Sequence, residues 1–479
     1  MFERISIENF KSFLEKQEIN LAPITLIYGP NSSGKSSIIQ TLVLLKQSLT
    51  RPSEQGGLVS NGEYIDLGNY VSMINGHDKE KDLNFTLHYK PKKRQNEGTG
   101  LRYLFGSAHE REYALTYSLS GKNCQNQNEE FTYLKRINTK VKSKENRNLI
   151  ELNLISALAK RDSGEFRSRS ALAKKYIFVD EKSRDEVSSF IIKKVDATNN
   201  AAMQNKIIKE FNDISFSSDL SFATPSSTDL EGTLAEKKKQ SLAVAVTNIM
   251  LSELSKELQE KFNAISYLGP LRSHPSRFYA PKGDQSGTVG KAGEHAARLI
   301  YEKSPEITET INRWFKEFEI PYSLSVKSIG TDISGSVICL QLEDHRTGVI
   351  VGPSDVGFGI GQLLPIIVEG IVRTESTICV EQPEIHLHPK LQANLANFII
   401  ETSTNNQWII ETHSEALLLR IQKKIRTGKI SPDKISIIYV EPTKLGGSIL
   451  TIPLDKDGDF TKEWPEGFFE ERFNETFGD

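Results

Sequence analysis

The stretch Gly29-Pro30-Asn31-Ser32-Ser33-Gly34-Lys35-Ser36 fits the pattern G-x-x-x-x-G-K-[ST] at every fixed position. Its two glycines let the backbone wrap so that successive N–H groups converge on one point. A helix beginning at Lys35 would aim its positive end at the same place. Lys35 is spaced to reach the β- and γ-phosphates, and the Ser36 hydroxyl to ligand Mg²⁺. Gly29, Pro30, Asn31, Ser32, Ser33, Gly34, Lys35, Ser36 and Ser37 are therefore the candidate nucleotide-binding residues, and a nucleoside triphosphate with Mg²⁺ is the expected ligand pair. A second constellation, Val380-Glu-Gln-Pro-Glu-Ile-His-Leu-His-Pro389, follows the apolar run Thr377–Val380. Nucleotide sites usually place two adjacent carboxylates at such a strand end, for the metal and for the attacking water. Here Glu381 is followed by Gln382, whose amide can orient a water but cannot take its proton. The next carboxylate, Glu384, stands beyond Pro383. His386 and His388 lie two apart, but the spacing marks no third metal ligand, so a loop-shaping role is expected of them.

Elements must hold these residues in place. Phe2, Ile5, Ile7 and Phe10 alternate with polar residues, which predicts a half-buried strand. Ile24–Tyr28 reads as a short buried strand, and Ile38, Ile39, Leu42, Val43, Leu45 and Leu49 repeat at helical spacing after the glycine loop. Strand character returns near Ala264–Leu268, followed by a helix around Glu294–Trp314 and a strand pair near Leu324–Leu342. After the glycine cluster 352–361 the order is helix Gln362–Val372, strand Thr377–Val380, helix Lys390–Thr402 and strand Trp408–Ile410. A helix at Glu415–Thr427, stopped by Gly428, and a strand Lys434–Val440 complete it. This alternation predicts an α/β fold with a mainly parallel central sheet. The expected division is 1–79 (first part of a nucleotide-binding head), 80–261 (insertion) and 262–479 (second part of the head).

Bulk properties narrow the classes. A formal net charge of −2 over 479 residues advertises no global attraction to nucleic acid. Any such surface must be local, and Phe131–Lys175, with 12 Lys/Arg against 4 Asp/Glu, is the candidate. A solvated face is the simpler reading, because aromatics for base stacking are sparse there. The three cysteines, Cys124, Cys339 and Cys379, are scattered, so neither a disulfide framework nor a zinc site is expected. No apolar run reaches membrane-spanning length, and a cytoplasmic protein without a membrane partner is expected. Asp455-Lys-Asp457-Gly-Asp459 with Glu466 fails the calcium-loop pattern and reads as a solvated turn.

Several motifs together resemble the ABC-type ATPases of the RecF/OLD/SMC-like branch. Glu8-Asn-Phe-Lys-Ser-Phe13 looks like that branch's opening strand end, and Ser354-Asp-Val-Gly-Phe-Gly-Ile-Gly-Gln362 like its signature loop. Ile378–Pro389 looks like its acidic strand and turn, and Glu411-Thr-His413-Ser like its switch histidine. More narrowly, Tyr267-Leu-Gly-Pro-Leu-Arg272, Glu381-Gln-Pro-Glu384 and the ending Asp457–Glu470 resemble the bacterial defence ATPases that include the ATPase subunit of Septu-type antiphage systems. The resemblance covers residues 1–75 and 262–479. It implies an N-terminal antiparallel β portion and a large mixed or helical insertion.

The resemblance implies a head-to-tail dimer, or a higher oligomer, in which one copy's signature faces the γ-phosphate held by the other's loop. Gly359, Gly361 and Gln362 would then be nucleotide-binding, with a helix N-terminus at Gln362. No serine stands directly before Gln362, which leaves Ser354 or backbone groups as donors. Glu381 would sit beside Ser36 and hold Mg²⁺. Glu381, Gln382, Glu384 and His413 are the catalytic candidates, His413 as a γ-phosphate contact. ATP hydrolysis is expected to be slow, with a binding-only switch as the variant reading. The implied function is gating of a separate nuclease or effector subunit. A RecF-like DNA-binding repair ATPase is the alternative, with DNA as partner, and an ATP-dependent scaffold is a third reading. Arg272 is expected to sense phosphate or hold a junction.

Overall fold

The computed structural model describes residues 1–50, 57–91, 108–120, 130–160, 173, 175–194, 199–212, 215–217, 227–229, 242–279, 287–331, 335–444 and 446–465. Cys124, Glu466, the end of the 457–470 motif, and 161–172 and 174 of the basic stretch lie outside the described residues. The chain divides into two compact units, one of Met1, Asn20–Ile39 and Ala264–Asp479, the other of Phe2–Ile19 and Gln40–Asn263.

The first unit is built on a six-stranded sheet ordered Ile265–Leu268, Thr377–Glu381, Gln407–Glu411, Ile24–Tyr28, Ile435–Thr443, Gly446–Thr451. The first five strands run parallel, and the last pairs antiparallel at the edge. Ile24–Tyr28, Thr377–Glu381 and Gln407–Glu411 are buried at every position. That matches their near-continuous apolar sequence, since a parallel sheet is covered on both faces. Ile27, Glu411 and Glu381 fall in one row across three neighbouring strands. The chain therefore delivers its phosphate loop and its acidic residues to the same carboxyl edge, where ligands of parallel sheets bind.

Packing beside this sheet is aromatic and tight. Trp314 meets Phe398 edge-on with ring centroids 4.9 Å apart, and Phe398 meets Trp408 at 6.0 Å. A Cβ on Gly370 would come within 2.5 Å of the Phe398 ring, so this helix position requires glycine. The expected helix Glu294–Trp314 is two helices, Ala296–Glu302 and Glu306–Glu317, with Pro305 at the start of the second. Proline lacks the N–H that a continuous helix would need there. The expected strand pair is the antiparallel hairpin Tyr322–Thr331 and Gly335–Asp344, extended by Ile350–Val351.

The second unit carries a nine-stranded sheet. In it Phe2–Glu8, Leu83–Tyr89, Ala108–Leu119, Thr132–Ser143, Asn148–Ser156 and Lys175–Phe178 pair antiparallel in that order. Helices Glu181–Lys194, Ala201–Asn212 and Leu242–Asn263 follow. Burial of Tyr113, Leu115, Tyr117 and Leu119 shows the two-residue period of a sheet face. Arg111, itself buried, reaches Glu257 of the long helix at 3.1 Å. Among the described residues no helix is long and apolar enough to cross a membrane.

Candidate active site

Gly29 and Gly34 have φ of 145° and 107°, values that favour glycine. At Gly29 a Cβ would also lie 2.4 Å from the Val440 carbonyl oxygen, so the loop's first turn admits no side chain. Helix Lys35–Thr50 begins at the loop's end. The Lys35 ammonium is buried and donates to the carbonyls of Gly29 (3.0 Å) and Pro30 (2.7 Å). Burial lowers its pKa, and the carboxylates of Glu411 and Glu384 pull it back up. Ser33 Oγ is buried with no hydrogen-bond partner inside this loop.

The acidic strand ends at Glu381, whose Oε1 accepts from the Tyr267 hydroxyl at 3.2 Å. Arg272, also buried, donates to the carbonyl oxygens of Glu381 (2.8 Å) and Gln382 (3.2 Å). Gln382 then turns the chain with φ of 46°, and its N–H donates to the Glu411 carbonyl at 2.7 Å. Glu384 comes back toward the sheet edge. Its Oε2 accepts from the Thr412 hydroxyl (2.7 Å) and its Oε1 from the His413 backbone N–H (2.6 Å). Burial raises the Glu384 pKa against these hydrogen bonds and the Arg272 charge. A carboxylate whose pKa is raised, held near a buried lysine, has the properties of a general base.

The neighbouring strand contributes more than the expected histidine. Glu411 is 4% exposed, and burial raises its pKa while the Ser36 hydroxyl and Lys35 lower it. Glu411, on the strand next to the phosphate loop, thus meets Ser36, and Glu381 is its register partner one strand further on. The His413 imidazole is exposed, and partial desolvation, then the Lys35 charge, holds its pKa down. A neutral imidazole near that lysine can share a phosphate oxygen without adding charge repulsion. Ser414 caps the following helix by accepting from Leu417 N–H at 3.1 Å, which fixes the turn carrying His413.

The signature stretch is arranged differently from expectation. Its helix begins at Phe358, not Gln362. Gly359 and Gly361 lie in the first turn, where added Cβ atoms would stand 3.1 Å from the His386 carbonyl and 2.6 Å from Pro275. Gln362 is buried one turn in and donates to the Arg272 carbonyl at 3.4 Å. Ser354 Oγ is buried without a partner, and Asp355 is clamped by Arg277 at 2.6 Å and 3.1 Å. His388 Nδ1 accepts from Lys390 N–H at 3.3 Å as a helix cap, a structural use for that histidine.

Among the described residues no three His, Cys, Asp or Glu side chains form a stand-alone metal centre. A Mg²⁺ that accompanies a nucleotide usually needs only one or two protein carboxylates, because phosphates supply other ligands. The residues fit it: Glu411 Oε2 is a buried acceptor with no hydrogen-bond partner, beside the Ser36 hydroxyl.

Among known proteins, the family model described as AAA ATPase domain matches residues 1–418 of this chain. No curated protein matches it. Among solved structures, an SMC head domain from Thermotoga maritima is 10% identical, covering 95% of this chain and 99% of that one, with a TM-score of 0.36. An Smc head domain with an extended coiled coil, derived from Pyrococcus furiosus and bound to the C-terminal domain of ScpA, is 12% identical. It covers 94% of this chain and 96% of that one, with a TM-score of 0.42.

Proposed function

The chain belongs to the AAA ATPase domain family, and from that premise we propose an ABC-type ATPase that binds ATP with Mg²⁺ and hydrolyses it slowly. The observation that carries the reading is electrostatic. The buried Lys35 ammonium feels the carboxylates of Glu384 and Glu411, and its charge reaches His413, so all four meet at one sheet edge. Lys35 and the loop N–H groups hold the β- and γ-phosphates. Ser36, with the acidic residues of the neighbouring strands, would hold Mg²⁺, which when bound neutralises charge on the phosphates. Gln382 positions the attacking water and Glu384 takes its proton. His413 reports the γ-phosphate to the turn that Ser414 caps.

In the cell, we place this activity in a bacterial antiphage defence system, where a homo-oligomer of the chain gates a separate nuclease. Support comes from the Septu-like sequence features, Tyr267–Arg272 and Glu381–Glu384 above all. The DNA-binding alternative draws less support. Lys140 and Lys142 of the basic stretch are already paired with Glu112, at 3.1 Å and 2.9 Å.

Multiple-turnover ATP hydrolysis tests the chemistry. Wild type turns over with Mg²⁺, Lys35→Ala loses binding, and Glu384→Gln binds ATP without turning it over. Removal of a general base lowers the rate by about 10²- to 10⁴-fold. Turnover by Glu384→Gln equal to wild type would remove Glu384 from the mechanism. A wild type that binds ATP without hydrolysis, and gains it in Gln382→Glu, would make the chain a binding switch.

A further inference from the structure

The adjacent acidic pair usual at a nucleotide site is broken here by Gln382, yet a second carboxylate stands level with Glu381 on the next strand. Glu381 and Glu411 are register partners in a parallel pair, and Ile27 continues their row one strand further on. Neighbouring strands lie about 4.8 Å apart, and partners in a parallel pair send their side chains from the same face. Glu411 is therefore one strand from the phosphate loop and Glu381 two. The two carboxylates also differ in their partners. Glu381 accepts from Tyr267 on its outer side. Glu411 has its Oε2 buried with no hydrogen-bond partner, although the residue is 4% exposed. Two buried carboxylates in one row are costly unless a cation joins them. The Lys35 charge acts on Glu411 and the Arg272 charge on Glu381. The Lys35 ammonium, however, is hydrogen-bonded to the carbonyls of Gly29 and Pro30, and Glu411 Oε2 receives no hydrogen bond.

We propose that Glu411 is a metal-site residue of this ATPase: with Glu381 it forms a cross-strand carboxylate pair that, beside Ser36, receives the divalent cation accompanying ATP. The pair replaces the sequence-adjacent one that Gln382 interrupts. Mg²⁺ needs only one or two protein carboxylates when phosphates supply the rest. The inference rests on the reading of the loop as an ATP site and adds the residue that couples metal to it. It also separates two tasks. The metal is held across two strands by Glu381 and Glu411, which frees Glu384 for the proton.

The test is binding of a fluorescent, non-hydrolysable ATP analogue to wild type, Glu411→Gln and Glu411→Asp, each with Mg²⁺ and with EDTA. Mn²⁺ electron paramagnetic resonance of the same complexes counts bound metal directly. Wild type gains affinity on adding Mg²⁺. Glu411→Gln keeps the wild-type affinity in EDTA and loses about ten- to a hundredfold of the metal-dependent gain. Its Mn²⁺ occupancy drops accordingly, and Glu411→Asp lies between. An undiminished metal gain in Glu411→Gln overturns the proposal, as does an equal loss with and without metal, which would mark a purely structural residue. Should Glu411→Gln fail to fold, the same comparison is read from Glu411→Asp. Failure of wild type to bind the analogue under either condition would instead sink the ATP-site reading, and the inference with it.

Discussion

Arg272 illustrates how much of this site depends on one buried side chain that ties two backbone segments together. Its guanidinium donates to two successive carbonyls at the end of the acidic strand, and its own carbonyl accepts from Gln362 of the signature helix. Burial brings its pKa down to about 10, with the charges of Glu384 and Glu381 opposing the fall. A lysine cannot reproduce the planar fork that spans two carbonyls. Arg272→Lys is therefore expected to leave one carbonyl unpaired, at about 1–3 kcal/mol of stability. Turnover should drop while the affinity for the ATP analogue stays near wild type, since the phosphate loop is untouched. Equal losses in binding and turnover would show that Arg272 acts on the nucleotide directly. The phosphate loop was legible in the sequence because its chemistry is local: two glycines, a lysine and a serine at fixed spacing. Glu384 was legible as a carboxylate but not in its hold, which needs Thr412 and the His413 N–H from just past the end of the neighbouring strand. Glu411 was legible only as the start of the histidine motif, with no role of its own. Its proximity to Ser36 arises only when Gln407–Glu411 takes the place between the acidic strand and Ile24–Tyr28.

The basic stretch teaches a similar lesson for an element. As sequence, Leu134–Lys144 is a run of cations that suggests a surface for acidic partners. As structure, most of it belongs to the inner strand Thr132–Ser143, with Leu134, Ile137 and Val141 buried. Its lysines lie against acidic neighbours: Lys135 on Asp82 at 2.5 Å, Lys140 and Lys142 on Glu112. The period of two was present in Ile137, Thr139 and Val141, but charge composition masked it. Burial alone would raise the Glu112 pKa. Hydrogen bonds from Lys142 and Lys140, helped by His88, outweigh it and bring the carboxyl down to about 2. A carboxyl depressed in the folded state stabilises it above the unfolded value of 4.5, and this contribution is lost as pH falls through about 2. Glu112→Gln should thus cost on the order of 1 kcal/mol at pH 7, after allowance for solvent screening. The gap between variant and wild type should shrink as the pH of denaturant melts drops from 5 toward 2. A gap that stays constant with pH would assign the effect to packing instead of charge.

On the scale of the whole molecule, the question is what closes the nucleotide. The first unit brings the phosphate loop, the register partners Glu381 and Glu411, and the turn residues Glu384 and His413 to one sheet edge. The signature helix of the same chain is engaged otherwise. Its glycines abut Pro275 and the His386 carbonyl, and Gln362 is turned inward to Arg272. In the proposed ABC-type arrangement that loop serves the nucleotide of a second copy, so closure is an assembly event and not an internal one. Leu271 and Phe278, 78% and 61% exposed, lie on the same segment as Pro275, which abuts Gly361 of that helix. The consequence is a mass change that depends on the γ-phosphate. With ATP and Mg²⁺, Glu384→Gln should be trapped as a dimer or larger species, measured by light scattering against the 53.8 kDa chain. Lys35→Ala should show no nucleotide-dependent change, and wild type should return to its starting mass as ATP is consumed. An ATP-bound Glu384→Gln that keeps the mass of its nucleotide-free form would separate hydrolysis from assembly. It would leave an ATPase whose nucleotide state must reach its partner within a single chain.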